Sequence, residues 1–221
     1  MKLIKNIHDK KIIDQTNIKK NRALMAEREF KTFKFLLSEF YGFNFSSEKY
    51  KILDLGCGDK YLLDIFINNK FDYTGLDIND VDFTVDKLDI DDESFDFVVS
   101  LAVIEHMKDP SLFLSEVNRV LKKDGFFYLT TPNWNYSANT FYDDSTHVKP
   151  YTPKSLEHIL NAFNFKYIQT FPGLRCKPKW FYLGKYRFLK GRYLFPFKND
   201  QSILPNFLKG KCTSIICISK K

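Results

Sequence analysis

The stretch Lys51-Ile52-Leu53-Asp54-Leu55-Gly56-Cys57-Gly58 runs from a short apolar segment into a glycine turn, and Tyr61 to Asn69 reads as the helix behind it. Strand, tight turn and helix form the opening unit of a doubly wound α/β sheet, where glycines let the backbone approach a ligand that a Cβ would hold off. The alternation continues outward. Tyr73-Thr74-Gly75-Leu76-Asp77 reads as a second strand, Phe83-Thr84-Val85 as a short third and Phe95 to Leu101 as a fourth, apolar runs of the kind buried parallel strands show. Asp109-Pro110 opens a helix in which Leu112, Phe113, Val117, Val120 and Leu121 recur at helical spacing, and it stops before Gly125. Phe126 to Thr130 is strand five, Thr152-Pro153 caps a helix, Phe165 to Phe171 is strand six and Thr213 to Ile218 is the last.

Upstream, residues 14–41 mix Lys, Arg and Glu with Ile18, Leu24, Phe30, Phe33, Phe35, Leu36, Leu37 and Phe40 and contain no Gly or Pro, which suits one or two amphipathic helices. The predicted fold is α/β: a doubly wound, seven-stranded, mostly parallel sheet with N-terminal helices and an aromatic, basic insertion (172–211) between the last two strands. One domain over residues 1–221 is expected, made of a helical cap (1–50), a cofactor-binding core (51–133) and an acceptor side (134–221).

With 221 residues and 44% hydrophobic content, such a domain can bury a core without staples. Cys57, Cys176, Cys212 and Cys217 form no C-x-x-C pair and have no histidines at zinc spacing, so all four read as reduced thiols. No apolar run is long enough to span a bilayer and Met1 to Asn6 lacks a signal core, which points to the cytoplasm. The net charge of +7 is segregated: residues 51–110 carry 5 basic against 15 acidic side chains, whereas 171–221 carry 12 against 1. Two surfaces with different partners are implied.

The acidic block surrounds the glycine turn. Tyr61 stands where a G-x-G-x-x-G dinucleotide fingerprint needs its third glycine, and Asp54 and Asp59 flank a position where a pyrophosphate would be repelled. A ligand with a cationic centre and no phosphate fits better, and S-adenosylmethionine is one, its methionine end attracted by Asp54. Asp77 ends the second strand about 20 residues on, where a carboxylate can accept hydrogen bonds from two ribose hydroxyls.

Ile52-Leu53-Asp54-Leu55-Gly56-Cys57-Gly58, Gly75-Leu76-Asp77, Ser94-Phe95-Asp96-Phe97-Val98-Val99, Ile104-Glu105-His106, Phe113-Leu114-x-Glu116-x-x-Arg119-Val120-Leu121-Lys122 and Thr130-Thr131-Pro132-Asn133 follow one another over residues 51–133. In this order and spacing they resemble the class I, Rossmann-like, S-adenosylmethionine-dependent methyltransferases, in particular the branch with ubiquinone-biosynthesis and sugar or surface-glycan O-methyltransferases. The resemblance implies that the backbone of Gly56, Cys57 and Gly58 holds the methionine moiety and Asp77, with Ile78 beside it, the ribose. It places Asp86 to Leu88 at the adenine and Leu101 near the cofactor, with S-adenosylhomocysteine as product. Asp96 reads as a structural tie. Related quinone-precursor enzymes place a Glu-x-x-x-Glu-His metal site at this point, but Leu101 replaces the first Glu, so no metal is expected.

On the acceptor side, Glu105, His106 and His147 are the catalytic candidates. His147 lies in Tyr142-Asp143-Asp144-Ser145-Thr146-His147-Val148, which resembles a region of surface-glycan and lipid-modifying members, and reads either as the base for an acceptor hydroxyl or as a staple of its loop. Methyl transfer from a sulfonium is an in-line displacement, in which positioning carries most of the catalysis and a base matters for a high-pKa nucleophile. The segment 174–211 interleaves aromatics with Lys and Arg as a lid or a peripheral membrane contact would, in preference to a nucleic-acid surface. The expected activity is O-methylation of a glycan or lipid-linked sugar. A small phenolic or prenylated acceptor, and a non-catalytic cofactor-binding module of a polysaccharide assembly complex, are the alternatives, and the oligomeric state is not legible.

Overall fold

The computed structural model describes residues 15–46, 48–173 and 212–221, with side chains from residue 21 onward. Its elements are α1 (Gln15–Tyr41), β1 (Tyr50–Leu55), α2 (Leu63–Asn68), β2 (Phe71–Leu76), β3 (Phe95–Leu101), a 3-10 turn (Ile104–His106) and α3 (Ser111–Val120). These are followed by β4 (Leu121–Pro132), α4 (Trp134–Ser137), a 3-10 turn (Phe141–Asp143), α5 (Pro153–Ala162), β5 (Lys166–Pro172) and β6 (Ser214–Lys220). The strands form one sheet in the order β2-β1-β3-β4-β6-β5. β1 is parallel to β2 and β3, and β3 to β4, while β6 runs antiparallel to both β4 and β5.

Side chains alternate across this sheet with period two and build a core on each face. Leu53, Leu55, Val98, Phe127, Leu129, Ile215 and Cys217 point to one side, against Phe113, Leu114, Val117 and Val120 of α3 and Leu156 and Leu160 of α5. Ile52, Phe97, Val99, Phe126, Tyr128, Ile216 and Ile218 point to the other, against α1 and α2. Phe33 of α1 centres this second core: its ring meets those of Phe66, Phe97 and Tyr128 edge-on at 5.3–5.7 Å, the geometry aromatic quadrupoles prefer. α1 is therefore a layer of the fold.

The seventh strand predicted at Phe83-Thr84-Val85 is corrected to a turn, so the described residues hold a six-stranded sheet. Asp82 is the cause. Its carboxylate accepts from the Thr84 N–H at 2.9 Å and hydroxyl at 2.6 Å, and its carbonyl accepts from the N–H groups of Val85 and Asp86, which bends the backbone away from a ladder. The helix that opens at Asp109-Pro110 ends at Val120, earlier than its apolar pattern suggests, because Leu121 already pairs with Phe95 in β4. The insertion predicted at 172–211 lies outside the described residues from 174 onward, as does Cys176. Its two ends meet where the Gly173 N–H donates to the Ser214 carbonyl and the Cys212 thiol to the Gly173 carbonyl. That junction adjoins Pro132, the carboxyl end of β4. The described cysteines, Cys57, Cys212 and Cys217, are free thiols.

The loop that follows the Asp82 turn is pinned by Glu116 and Arg119 of α3. Arg119 bonds both oxygens of the buried Glu116 at 2.9 and 2.7 Å, and reaches the carbonyls of Ile90 and Leu88 and the carboxylate of Asp92. Glu116 also accepts from the Leu88 N–H at 2.8 Å. The guanidinium holds the Glu116 carboxyl below the usual carboxylate range. Asp96 is the structural tie expected of it, accepting from the Lys51 N–H and from Lys122. Removing one partner of a buried pair strands the other charge, so Arg119→Met is expected to lower stability by about 3 kcal/mol in urea unfolding. A midpoint equal to wild type would show that solvent already carries this pair.

Candidate functional site

The chain leaves β1, moves outward to β2 and crosses back to β3, so the order reverses between β1 and β3, and their carboxyl ends flank a ligand crevice. Gly56 and Gly58 occupy it at φ +82° and +54°, in the left-handed region that favours glycine. A Cβ on Gly56 would lie 2.2 Å from Cγ2 of Val103, so only glycine lets the β1 turn approach the segment leaving β3. The N–H groups of Gly56 and Cys57 both donate to the Leu76 carbonyl. Cys57 is buried, and burial beside Asp54 and Asp77 pushes its thiol up to about 12, so it fills space as a neutral thiol.

Asp54 is 2% exposed and accepts a 2.6 Å hydrogen bond from the Tyr73 hydroxyl. Burial pushes its carboxyl up to about 7, with the Tyr73 bond opposing and the charge of Asp77 adding. Asp77 accepts from the Gly58 N–H at 2.5 Å and the Ile78 N–H at 2.6 Å, so this carboxylate also locks the glycine turn onto the end of β2. Its remaining lone pairs leave it able to accept from hydroxyls. Arg22 of α1 pairs with Asp59, neutralising the outer acid of the turn. Asp86 is exposed, and Leu88 is buried, with its side chain in the core and its N–H and carbonyl bonded to Glu116 and Arg119. Leu101 is half-buried at the end of β3.

Glu105, His106 and His147 are brought together although 40 residues separate the last two. The Glu105 carbonyl accepts from the N–H groups of Val148 and Lys149, which staples the loop after β4 against the 3-10 turn after β3. The His106 and His147 rings then lie 4.8 Å apart. Glu105 is fully buried; one carboxylate oxygen accepts from the Thr131 hydroxyl at 3.0 Å and the other, Oε1, has no partner. Burial pushes its carboxyl up to about 7, opposed by a bond to its own backbone N–H and by Thr131.

His147 Nδ1 lies 2.6 Å from the Phe141 carbonyl, which can only accept, so Nδ1 carries a proton, and the neutral form of the ring has its lone pair on Nε2. The staple and base readings of this residue are therefore compatible. The Thr146 hydroxyl donates to Asp144 at 2.5 Å and is left to accept from His106 Nδ1 at 2.9 Å, which gives His106 the same tautomer. One ligand atom each from Glu105, His106 and His147 lies within 4.8 Å of the others.

Tyr73, Thr131 and the Thr146–Asp144 pair are the partners that sequence reasoning assigned no role. Tyr73 sits two residues before Gly75, which pairs with Asp54 across the ladder, so strand register was the signal that would have found it. Nothing in the sequence pairs Thr146 with His106.

A glycine crevice with a buried carboxyl behind it and a second carboxylate on the neighbouring strand defines the Rossmann-like S-adenosylmethionine-dependent methyltransferase class. A family profile described as methyltransferase domain matches residues 18–170, and the chain belongs to that family. A Mycolicibacterium smegmatis protein assigned to the S-adenosylmethionine-dependent methyltransferases is 34% identical over 37% of this chain and 38% of its own length. A ubiquinone biosynthesis O-methyltransferase of Bartonella bacilliformis is 30% identical over 40% of this chain and 43% of its own. The chain thus spans about two fifths of the curated relatives it matches. Among solved structures, an Archaeoglobus fulgidus S-adenosylmethionine-dependent methyltransferase shares the fold with TM-score 0.56 at 22% identity, over 88% of this chain and 94% of that one. A chain of the Haloferax volcanii complex between the Trm112 activator and a methyltransferase does so with TM-score 0.58 at 17% identity, over 90% and 93%.

A carboxyl whose folded pKa lies above its unfolded value binds its proton more tightly when folded, so stability falls as pH rises from about 4 to about 7 and is flat above. Asp54 and Glu105 both contribute with this sign. Asp54→Asn is expected to flatten the fall in unfolding free energy between pH 4.5 and 7, read by urea titration at each pH, and an unchanged slope would contradict a buried, raised Asp54.

Proposed function

We propose that this domain is an S-adenosylmethionine-dependent O-methyltransferase whose acceptor is a hydroxyl of a glycan or lipid-linked sugar. The observation that carries the hydroxyl is the buried Glu105 Oε1 and the lone pair on His147 Nε2, proton acceptors gathered beyond the cofactor crevice. The residues fit the cofactor: a glycine, Gly56, whose Cβ would collide with Val103, and a buried carboxyl that gains from a cationic neighbour. Bound S-adenosylmethionine supplies a methyl group on a sulfonium, displaced in line, so positioning carries most of the catalysis. Backbone groups of Gly56 to Gly58 hold its methionine end, Asp54 faces the ammonium and Asp77 accepts from the ribose hydroxyls. Asp86 is the member of the adenine loop left open to contact, with Leu101 lining the crevice. The Glu105–His147 pair takes the acceptor proton, and His106 shapes the wall beside it.

The sugar acceptor is supported by the Thr146-His147-Val148 loop, and by an insertion whose ends, Gly173 and Cys212, sit at the carboxyl edge of the sheet. Peripheral membrane contact through residues 174–211 of a cytoplasmic enzyme belongs to the same reading. No helix among the described residues is long and apolar enough to cross a membrane. A second reading, a phenolic or prenylated metabolite, is favoured by the ubiquinone biosynthesis O-methyltransferases among the relatives.

Calorimetric titration is expected to show S-adenosylhomocysteine binding and no NAD binding. Asp77→Ala, which loses contacts worth about 1.5–3 kcal/mol to a charged acceptor, is expected to weaken S-adenosylhomocysteine binding at least tenfold. Equal affinities would remove Asp77 from the site. With methyl-labelled cofactor, label is expected in a glycan or lipid fraction, and His147→Ala is expected to lower kcat by about 100-fold or more with cofactor affinity kept. Label in RNA or in phenolic acceptors alone would overturn the sugar reading.

A further inference from the structure

We propose that Trp134 and Tyr142 form a stacking subsite for an uncharged pyranose ring of the acceptor, with the Asp143 carboxylate at its edge to accept from sugar hydroxyls. The proposal rests on the glycan reading above and adds the residues that hold the sugar. Tyr142 is 59% exposed and Trp134 half-buried, and their ring centroids are 6.0 Å apart at an interplanar angle of 72°. Each also meets Phe141 in edge-to-face geometry, Tyr142 at 5.0 Å and Trp134 at 5.5 Å. Phe141 is buried, so two outward rings stand on a third that belongs to the interior.

This platform is held in place by the chain around it. Asn133 follows β4 and caps α4 by accepting from the Asn135 N–H at 3.2 Å, and the Trp134 N–H donates to the Tyr151 carbonyl at 2.8 Å. On the other side of the loop the Asp143 N–H donates to the Thr140 carbonyl, and His147 Nδ1–H to the Phe141 carbonyl. Little ordering is then left to be done on binding. The Phe141 ring lies 4.6 Å from the His147 ring, so Tyr142 and His147 flank the same phenyl group. A sugar stacked on Tyr142 is one phenyl ring away from the candidate base.

Charge and polarity select the occupant. Residues 134–146 contain two carboxylates, Asp143 and Asp144, and no Lys or Arg. An anionic lipid surface or a nucleic-acid backbone calls for cations, which this segment lacks. The same segment exposes Asn135, Asn139, Thr140, Asp143 and Ser145, all able to hydrogen-bond. A pyranose has the two kinds of surface that match: polarised C–H groups for an aromatic face, whose quadrupole is negative, and hydroxyls around its rim. A phenol brings one or two hydroxyls and leaves most of those polar groups unused.

The test uses 15N-labelled full-length protein and follows the indole N–H of Trp134, one of two tryptophans, assigned by its loss in Trp134→Phe. The probes are the methyl pyranosides of glucose, galactose, mannose and rhamnose, with catechol and phosphatidylglycerol vesicles as the competing chemistries. At least one pyranoside is expected to shift the Trp134 signal. Tyr142→Ala is expected to weaken that binding at least about fivefold and Tyr142→Phe to preserve it, because the ring carries the contact. Asp143→Asn is expected to weaken it by a smaller factor. Tyr142 and Asp143 are exposed, and S-adenosylhomocysteine affinity equal to wild type reports that each variant is folded. No shift with any pyranoside, a shift indifferent to Tyr142→Ala, or a larger shift with catechol or vesicles would each overturn the subsite. The methyl-label experiment decides the glycan reading separately. Label in glycans without pyranoside binding removes the subsite alone, and label in phenolic acceptors alone removes the reading and, with it, the sugar subsite.

Discussion

The approach of Gly56 to Val103 is the constraint on which both halves of the crevice depend. A side chain at position 56 would occupy the space of Val103 Cγ2, so the β1 turn and the segment leaving β3 come together only because that side chain is absent. The glycine turn is fixed from its other flank by the Asp77 carboxylate, which accepts from the Gly58 N–H. On the β3 side, Val103 leads directly into the turn that carries Glu105 and His106. One missing Cβ thus couples the glycine turn to the segment that carries Glu105 and His106.

Electrostatics sort the two halves. Asp54 and Glu105 are carboxyls almost without solvent, each held by a single hydroxyl, Tyr73 or Thr131, and burial raises both toward neutrality. An isolated buried carboxylate is expensive, so both positions favour a state in which a proton or a cation lies alongside. For Asp54 the cationic end of the cofactor would meet that need in the function proposed above. For Glu105 the one side-chain partner is the Thr131 hydroxyl, and its Oε1 has none. Outer acids are treated differently: Asp59 is paired to Arg22, and Asp92 and Glu116 to Arg119, so the excess negative charge of residues 51–110 is partly spent on structure.

Elements read from continuous apolar runs or from caps matched the fold closely, because burial on both faces of a parallel strand leaves a run that few other structures produce. β3 at Phe95–Leu101 and α5 behind its Thr152-Pro153 cap are of this kind. The short run at Phe83 failed because Asp82 offers the backbone a local alternative that propensity does not register. Glycine turn and strand-end aspartate were legible for the same reason as the strands: their spacing follows from one strand, one helix and the next strand.

What the sequence determined by itself was the class of fold, the cofactor and the glycine turn with the aspartates beside it, since the turn and those aspartates lie within one contiguous βαβ unit whose chemistry is local. What only the tertiary structure decided was the meeting of Glu105, His106 and His147. His106 and His147 meet because two backbone N–H groups of a distant loop bond the Glu105 carbonyl, and their tautomers follow from Thr146, Asp144 and Phe141. Hydrogen bonds between segments 40 residues apart leave no periodicity or spacing in the chain, because they depend on where two loops end after the sheet has formed.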